Sequence, residues 1–317
     1  MNSDKNISGK DIAMIGIDGG GTKTEFILFL SEGTVLKRIV LDGTNANSVG
    51  IAKTTQILKK GIDIFLKCNQ NVVGIYAGIA GCGGKDNRGA VTSFLKSEYP
   101  NLLVECNSDI QNIISCANTN HCIAVICGTG SCVFALDEHG LHQTGGWGYM
   151  LGDEGSGFFI GRDVLRANLS YNDGLGEYSL LVKLAEEKLN GRVNEKIPYI
   201  YSKGRDFVAS FAPLCFEAQM KNDKVATEII ERNADDLAKQ IKIAYEKYGK
   251  PGCVVLSGGV VSANPDYICL IKEKSGLGAE FKLVTIPQVY GAGLSCAKLC
   301  GIALKEDFLN EFKRTYI

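Results

Sequence analysis

Long apolar runs are missing from this sequence, and no stretch approaches the roughly 20 residues that a bilayer span requires. The opening segment, MNSDKNISGKD, is polar and lacks the apolar region of a secretory signal. The expectation is therefore no membrane partner and a cytoplasmic location. An excess of one charge is missing too: 34 basic side chains stand against 35 acidic ones, for a net charge of -1. That balance excludes the net-basic face on which nucleic-acid binding depends. Three histidines and the lack of any C-x-x-C pair exclude the usual zinc frameworks. The 12 cysteines sit mostly inside apolar runs such as HCIAVICG and GCVVLSG, where cysteine acts as a small core hydrophobe, so a reduced and mostly buried set is expected.

What is present is an alternation of two periods. IAMIGID (12–18) and EFILFL (25–30) read as strands joined by the turn GGGTKT. A helical pattern follows over 51–67, with Asn47 or Ser48 as its expected cap. The strand VVGIYAGIA (72–80), a helix near 87–98, the strand LLVECN (102–107) and a short helix from Asp109 complete the first half. At residue 122 the pattern restarts: CIAVICGTGSCVFALD is again strand, glycine turn, strand. Helices are expected near 157–170, 178–190, 206–220 and 223–248, then the strands CVVLSGG (253–259) and FKLVTI (281–286) and a helix over 290–304. This order predicts an α/β protein with helix-covered sheets. Its 317 residues suit two related domains, divided near the polar segment 117–121. The boundaries read from this are 1–118, joined or not by 304–317, and 119–303.

Three glycine-rich turns each follow a strand: DGGGTKT (18–24), CGTGS (127–131) and LSGGV (256–260). Glycine lets the backbone turn sharply and lets amide N–H groups approach an anion closely, but such tips are also common for structural reasons alone. Gly16 to Gly21 has the spacing of a Walker A loop, yet Thr22 precedes Lys23 and breaks the ending. The residues after the turn also look like a strand, whereas a P-loop and a dinucleotide fingerprint both open a helix. What remains is a nucleotide site built from hairpin tips.

IGIDGGGTKTEF, AVICGTGSCVF and VVLSGGV resemble the phosphate-1, phosphate-2 and adenosine motifs of the actin, hexokinase and heat-shock ATPase superfamily. Within it, GGWGYMLGDEGSGFFIGRDVLRA (145–167) resembles the N-acetylglucosamine kinase branch, grouped with the activator ATPases of benzoyl-CoA-type reductases. The similarity runs from residue 14 to about 300. It implies two ribonuclease H-like domains with an interdomain cleft, ATP and Mg²⁺ as cofactors, a sugar as small-molecule partner and, by analogy, a homodimer. The implied activity is transfer of the γ-phosphate to a hydroxyl of an amino sugar, N-acetylglucosamine first, with N-acetylmuramic acid, glucosamine and glucose left open. A reductase activator and a non-catalytic nucleotide sensor are the competing readings.

The resemblance also implies roles for individual residues. Asp18 organises Mg²⁺ or its waters, or else satisfies turn amides. Gly20, Gly21, Thr22 and Lys23 approach the phosphates from the first hairpin, and Gly128, Thr129, Gly130 and Ser131 from the second. Gly258 and Gly259 lie against adenine and ribose. Asp109 follows a strand and opens a helix, a position that by itself fits a helix cap; the match of NSDIQ to the kinases' base-bearing segment makes it the catalytic base. The helix N-terminus is expected to keep it ionised. Asn45, Cys82, Gly83, Gly146, Trp147 and Asp153 are implied as sugar contacts, although some relatives carry a hydroxyl residue where Cys82 stands, and a lone tryptophan is also a common core residue.

Overall fold

The computed structural model describes residues 12–68 and 71–316. Two compact units emerge, one of Met1–Asn118 with Ile286–Ile317, the other of Thr119–Thr285.

The first unit is built on strands β1 (Ala13–Gly19), β2 (Lys23–Leu30), β3 (Val35–Asp42), β4 (Val72–Ile79) and β5 (Leu103–Asn107). Their order in the sheet is β3-β2-β1-β4-β5. The β1–β2–β3 meander is antiparallel, while β4 and β5 run parallel to β1. Helices α1 (Ala46–Val49), α2 (Ile51–Leu66), α3 (Lys85–Glu98) and α4 (Ile110–Ala117) fill the crossovers. Because β1 is covered on both faces, it reads as an unbroken apolar run, with Ile15 and Ile17 in one core and Met14 in another. The strand β3, by contrast, alternates exposed positions with half-buried ones after the buried Val35, which is the period of a strand with one wet face. The helix expected after residue 50 has Gly50, not Asn47 or Ser48, at its start; those two lie inside the short helix α1.

The second unit repeats the plan. Its strands β6 (Cys122–Cys127), β7 (Ser131–Asp137), β8 (Gly140–Thr144), β9 (Cys253–Ser257) and β10 (Glu280–Leu283) are ordered β10-β9-β6-β7-β8, again an antiparallel meander with two parallel additions. The helices α5 (Gly157–Asn172), α6 (Leu180–Leu189), α7 (Ile197–Ala209), α8 (Ala212–Met220), α9 (Lys224–Lys247), α10 (Gly259–Ala263) and α11 (Pro265–Ser275) enclose its core. The single helix expected over 206–220 is two, α7 and α8, and α7 is itself kinked at Gly204.

The largest departure from the sequence reading is α12 (Gln288–Leu299). It follows the second sheet in the chain but packs on the first, in a core with Met14, Phe29, Tyr76 and the C-terminal helix α13 (Phe308–Thr315). The second unit therefore ends near 285, not 303. The physical reason is a pair of glycines. An added Cβ on Gly291 would overlap the carbonyl oxygen of Asn112 in α4, and one on Gly16 in β1 would come within 2.9 Å of the Gly293 amide nitrogen. The helix can thus lie directly on the sheet and on α4. Of the 12 cysteines, six are buried; Cys68 and Cys269 are exposed.

This close approach sets a stability test. Gly291→Ala must push α12 away from α4 and should destabilise the protein by ~1–3 kcal/mol, the usual range for overpacking. Gly278→Ala, whose added methyl meets nothing, should change the melting temperature little. Equal melting temperatures for the two variants would contradict the packing.

Candidate active site

In the first unit the site begins at the β1–β2 tip. The Gly20 amide donates to the Lys23 carbonyl at 2.9 Å and closes the hairpin, and the Gly20 carbonyl accepts from Thr44 at 3.0 Å. Gly43 lies so close beneath Gly21 that a side chain there would overlap it. The Gly20 amide is therefore committed to the turn and is not open to a phosphate, contrary to the sequence reading. Gly21, Thr22 and Lys23 are exposed.

Asp18 stands at the end of β1, in register with Glu25 on β2 and Gly78 on β4. Its Oδ1 accepts a hydrogen bond from Asn112 Nδ2 at 2.7 Å. Burial pushes its pKa up to about 7; the Asn112 bond opposes that shift, and the charges of Asp109 and Glu25 add to it. The Glu25 carboxylate, in turn, is held by Arg38 at 2.5 Å and by the hydroxyl of Tyr316.

Asp109 is the N-cap of α4. Its Oδ1 accepts from the Ile110 amide at 3.1 Å and from Ser108 Oγ at 3.0 Å. The cap reading is thus correct as a description of its backbone role, and both bonds fall on a single oxygen. Burial raises its pKa above the ordinary carboxylate value, against the pull of those two bonds. The helix N-terminus alone does not decide its ionisation, as the sequence had suggested. Asn112, three residues along the same helix, links it to Asp18: its side chain bonds the Asp18 carboxylate and its backbone amide the Asp109 carbonyl.

The loop after β4 connects the remaining residues of this unit. An added Cβ on Gly81 would come within 2.8 Å of Asn45 Oδ1, and one on Gly83 within 3.9 Å of Ser108 Oγ. The loop thus touches Asn45 at one end and the residue before Asp109 at the other. Asn45 caps α1 through the Asn47 amide at 3.0 Å, and Asn87 ties the loop down by donating to Asn47 Oδ1 at 2.8 Å and to the Gly81 carbonyl at 2.9 Å. Gly83 is exposed, whereas Cys82 is fully buried. The Cys82 thiol packs into the core with Cys106, which removes it from the sugar contacts expected for it. Its apolar surroundings are the reason.

In the second unit the β6–β7 tip is fixed from below. The Gly128 amide donates to the Gly130 carbonyl at 2.9 Å; the Gly128 and Thr129 carbonyls accept from the Gly157 and Phe158 amides, at 2.8 and 3.0 Å. The start of α5 is thereby bound to the tip. Ser131 is buried and donates its hydroxyl to the Glu154 carbonyl at 2.7 Å, so neither it nor the Gly128 amide is open to phosphates. Thr129 and Gly130 are partly exposed. The third glycine turn reaches the same place: Gly258, at φ 117°, leaves no room for a side chain against Cys127, and an added Cβ on Gly128 would come within 3.5 Å of the Gly259 amide nitrogen.

The 145–155 segment folds over this tip in a strained conformation. Gly145, Gly146, Gly148, Asp153 and Gly155 all have positive φ, the last acid at 66°. Such backbone costs energy in a non-glycine residue and persists where the surroundings fix it. Asp153 is fixed by the Gly148 amide at 3.0 Å and by Arg205 at 3.9 Å. A Cβ on Gly130 would come within 2.6 Å of Asp153 Oδ2, so Asp153 lies at the β6–β7 tip. Burial raises its pKa, while the Gly148 amide and Arg205 oppose the shift. Trp147 is 63% exposed and belongs to no core.

Three residues escaped the sequence reading: Asn112, Asn87 and Arg205. Arg205 follows the Gly204 kink, a mid-helix glycine that was the one available signal. Among the described residues no group of three or more His, Cys, Asp or Glu forms a metal cage. Mg²⁺ does not require one, since it keeps several waters and takes one or two carboxylates with substrate phosphates. A partly exposed Asp18 beside the open tip fits that limited demand. No helix among the described residues is long and apolar enough to cross a membrane.

The chain is 27% identical over 267 residues to the N-acetylmuramic acid/N-acetylglucosamine kinase of Clostridium acetobutylicum, covering 80% of this chain and 87% of the relative. It is 28% identical over 254 residues to the N-acetyl-D-glucosamine kinase of Dictyostelium discoideum, covering 74% and 80%. Its fold is shared with a solved Chromobacterium violaceum structure assigned to N-acetylglucosamine kinase, at a TM-score of 0.70 and 24% identity over 89% of this chain and 97% of the other. The BadF/BadG/BcrA/BcrD ATPase family model matches residues 15–293, and this chain belongs to that family.

Proposed function

We propose that this protein is an ATP-dependent kinase of an amino sugar, with N-acetylglucosamine as first acceptor and O6 as the hydroxyl phosphorylated. The observation that carries the reading is a capping carboxylate, Asp109, whose bonds to Ser108 and Ile110 both fall on one oxygen. It sits beside a second carboxylate, Asp18, at the open end of β1. Names of the curated relatives point the same way.

Phosphoryl transfer asks the protein for positioning and charge neutralisation more than for covalent chemistry. The acceptor oxygen attacks the γ-phosphorus, the bond to the β-phosphate oxygen breaks, and the acceptor proton passes to Asp109 Oδ2. A base raised above the ordinary carboxylate range by burial is better matched to neutral pH than an exposed one. Asp18 would hold Mg²⁺ or its waters, and the ion supplies neutralisation of the phosphate charge. Gly21 and Thr22 would approach the phosphates from the first unit, and Thr129 and Gly130 from the second. Gly258 and Gly259 leave backbone exposed for the nucleoside. Asn45, Gly83, Gly146, Trp147 and Asp153 remain the proposed acceptor contacts. Asp153 is the one that the tip geometry draws toward the phosphates instead.

A groove along α3 and the edge strand β5 favours an acidic acceptor as a second substrate. Lys85, Arg88 and Lys96 line it against Glu105, and Arg88 donates to Asn107, two residues before Asp109, at 3.3 Å. The lactyl carboxylate of N-acetylmuramic acid is the group that such a groove would accept.

Asp109→Asn should lower kcat by about 10²–10⁴, the usual contribution of a general base, and leave ATP affinity within about twofold. Turnover close to wild type would remove Asp109 from the base role. ADP release measured across N-acetylglucosamine, glucosamine, N-acetylmuramic acid and glucose tests the acceptor. Arg88→Ala should reduce kcat/KM for N-acetylmuramic acid at least tenfold more than for N-acetylglucosamine. An iron–sulfur cluster in anaerobically purified protein, with no sugar-dependent ADP release, would instead support a reductase activator.

A further inference from the structure

We infer that Asn112 is a positioning residue that holds Asp18 in its working orientation beside Asp109, and that its amide is retained for this task and not for stability. The inference rests on the kinase reading above.

Asn112 is fully buried in α4, three residues after Asp109. It is tied to the carboxylate of Asp18 and to the backbone of Asp109. Its side-chain Nδ2 donates to Asp18 Oδ1 at 2.7 Å, and its backbone amide donates to the Asp109 carbonyl at 3.0 Å. Space for this arrangement is made on two sides. The amide group lies flat on Gly78 of β4, where any Cβ would overlap Nδ2, Oδ1 and Cγ together, and the Asn112 carbonyl is met by Gly291 of α12. Two glycines on separate elements thus leave room for one polar side chain in the middle of packed structure.

The other half of that amide is unsatisfied: Asn112 Oδ1 is buried and has no hydrogen-bond partner. A buried acceptor without a donor costs desolvation energy, and an apolar side chain of similar size would avoid the cost. A residue that violates this local rule is expected where function compensates for it. What Asn112 supplies is directional. Asp18 faces the like charges of Asp109 and Glu25, so without a donor its carboxylate has reason to rotate away from both. Held by Nδ2, it keeps one oxygen inward and leaves the other for a cation or its waters. A serine or threonine here would be too short to bridge from α4 to the end of β1, and a charged donor would alter the field at Asp109.

The test replaces the amide by a hydrocarbon of similar volume. For Asn112→Leu, kcat should fall 10- to 100-fold while the sugar KM moves by less than threefold. The melting temperature should stay equal or rise, because the orphaned oxygen is gone. A second readout does not involve turnover: ATP affinity is measured by calorimetry with Mg²⁺ and with EDTA. The factor by which Mg²⁺ tightens ATP should shrink in Asn112→Leu to that of Asp18→Asn. Unchanged kcat, or a kcat loss that follows a fall in melting temperature with the Mg²⁺ factor intact, overturns the inference and leaves Asn112 a packing residue. If Asn112→Leu does not fold, Asn112→Ala only removes atoms and is read by the same two measurements. Failure of the kinase reading shows separately, as wild-type protein that releases no ADP with any sugar, and the Mg²⁺ factor still reports on Asn112 in that case.

Discussion

A carboxylate withdrawn from water demands a donor, and the first unit is arranged around meeting that demand at Asp18. β1 brings the acid to the end of the sheet's central strand, where the chain must turn and water is reduced but not excluded. Antiparallel register sets Glu25 directly across from it, and Arg38 and Tyr316 hold the Glu25 carboxylate. α4 delivers Asn112 from one side, and the glycines at 78 and 291 let it arrive. Even the placement of α12 on this unit follows from the same close approach.

The second unit shares the strand order but handles charge differently. β6, CIAVIC, contains no acid, and its last residue, Cys127, is a fully buried thiol whose pKa burial raises to about 12, so it stays neutral. Its tip offers backbone, and of the acids beside it Asp153 is held by an amide and offset by Arg205, and Glu154 is held by Gln240. A surface that meets phosphate through amides and a hydroxyl stabilises the anion by dipoles, without binding the product so tightly that a fixed cation would trap it. The two units therefore differ at the end of their first strand, which carries an acid, Asp18, in one and a neutral thiol, Cys127, in the other.

Much of this was legible in the sequence, and the parts that were not share a cause. Period-2 runs and glycine turns marked the two hairpins, and the alternation of strands with helices marked the α/β class; Asp18 and Asp109 were singled out only by the resemblance. The cap reading of Asp109 came from position alone and is what the backbone does. Asn112 was hidden because, within the amphipathic pattern IQNIISC, an asparagine reads as the wet face of a helix. Only the three-dimensional meeting of Gly78, Gly291 and Asp18 makes it an interior residue. α12 was misassigned because chain order suggested the preceding sheet, although its GAG sequence carried the signal of a helix that packs at very short range. Cys82 failed as a contact for a related reason: a loop position says where the backbone goes and not which way one side chain turns.

The tips sharpen what a glycine-rich turn can be taken to mean. At each hairpin the first glycine amide is consumed in closing the turn, Gly20 to Lys23 and Gly128 to Gly130. Ser131, the most chemically inviting residue of the second tip, is spent on the Glu154 carbonyl. The exposed or partly exposed residues lie within the closed turns, Gly21 and Thr22 in one unit, Thr129 and Gly130 in the other. A backbone amide serves either the turn or an incoming ligand, so at each tip only the groups not used in closure are left to meet one, and each tip includes a threonine among them, the exposed Thr22 or the partly exposed Thr129.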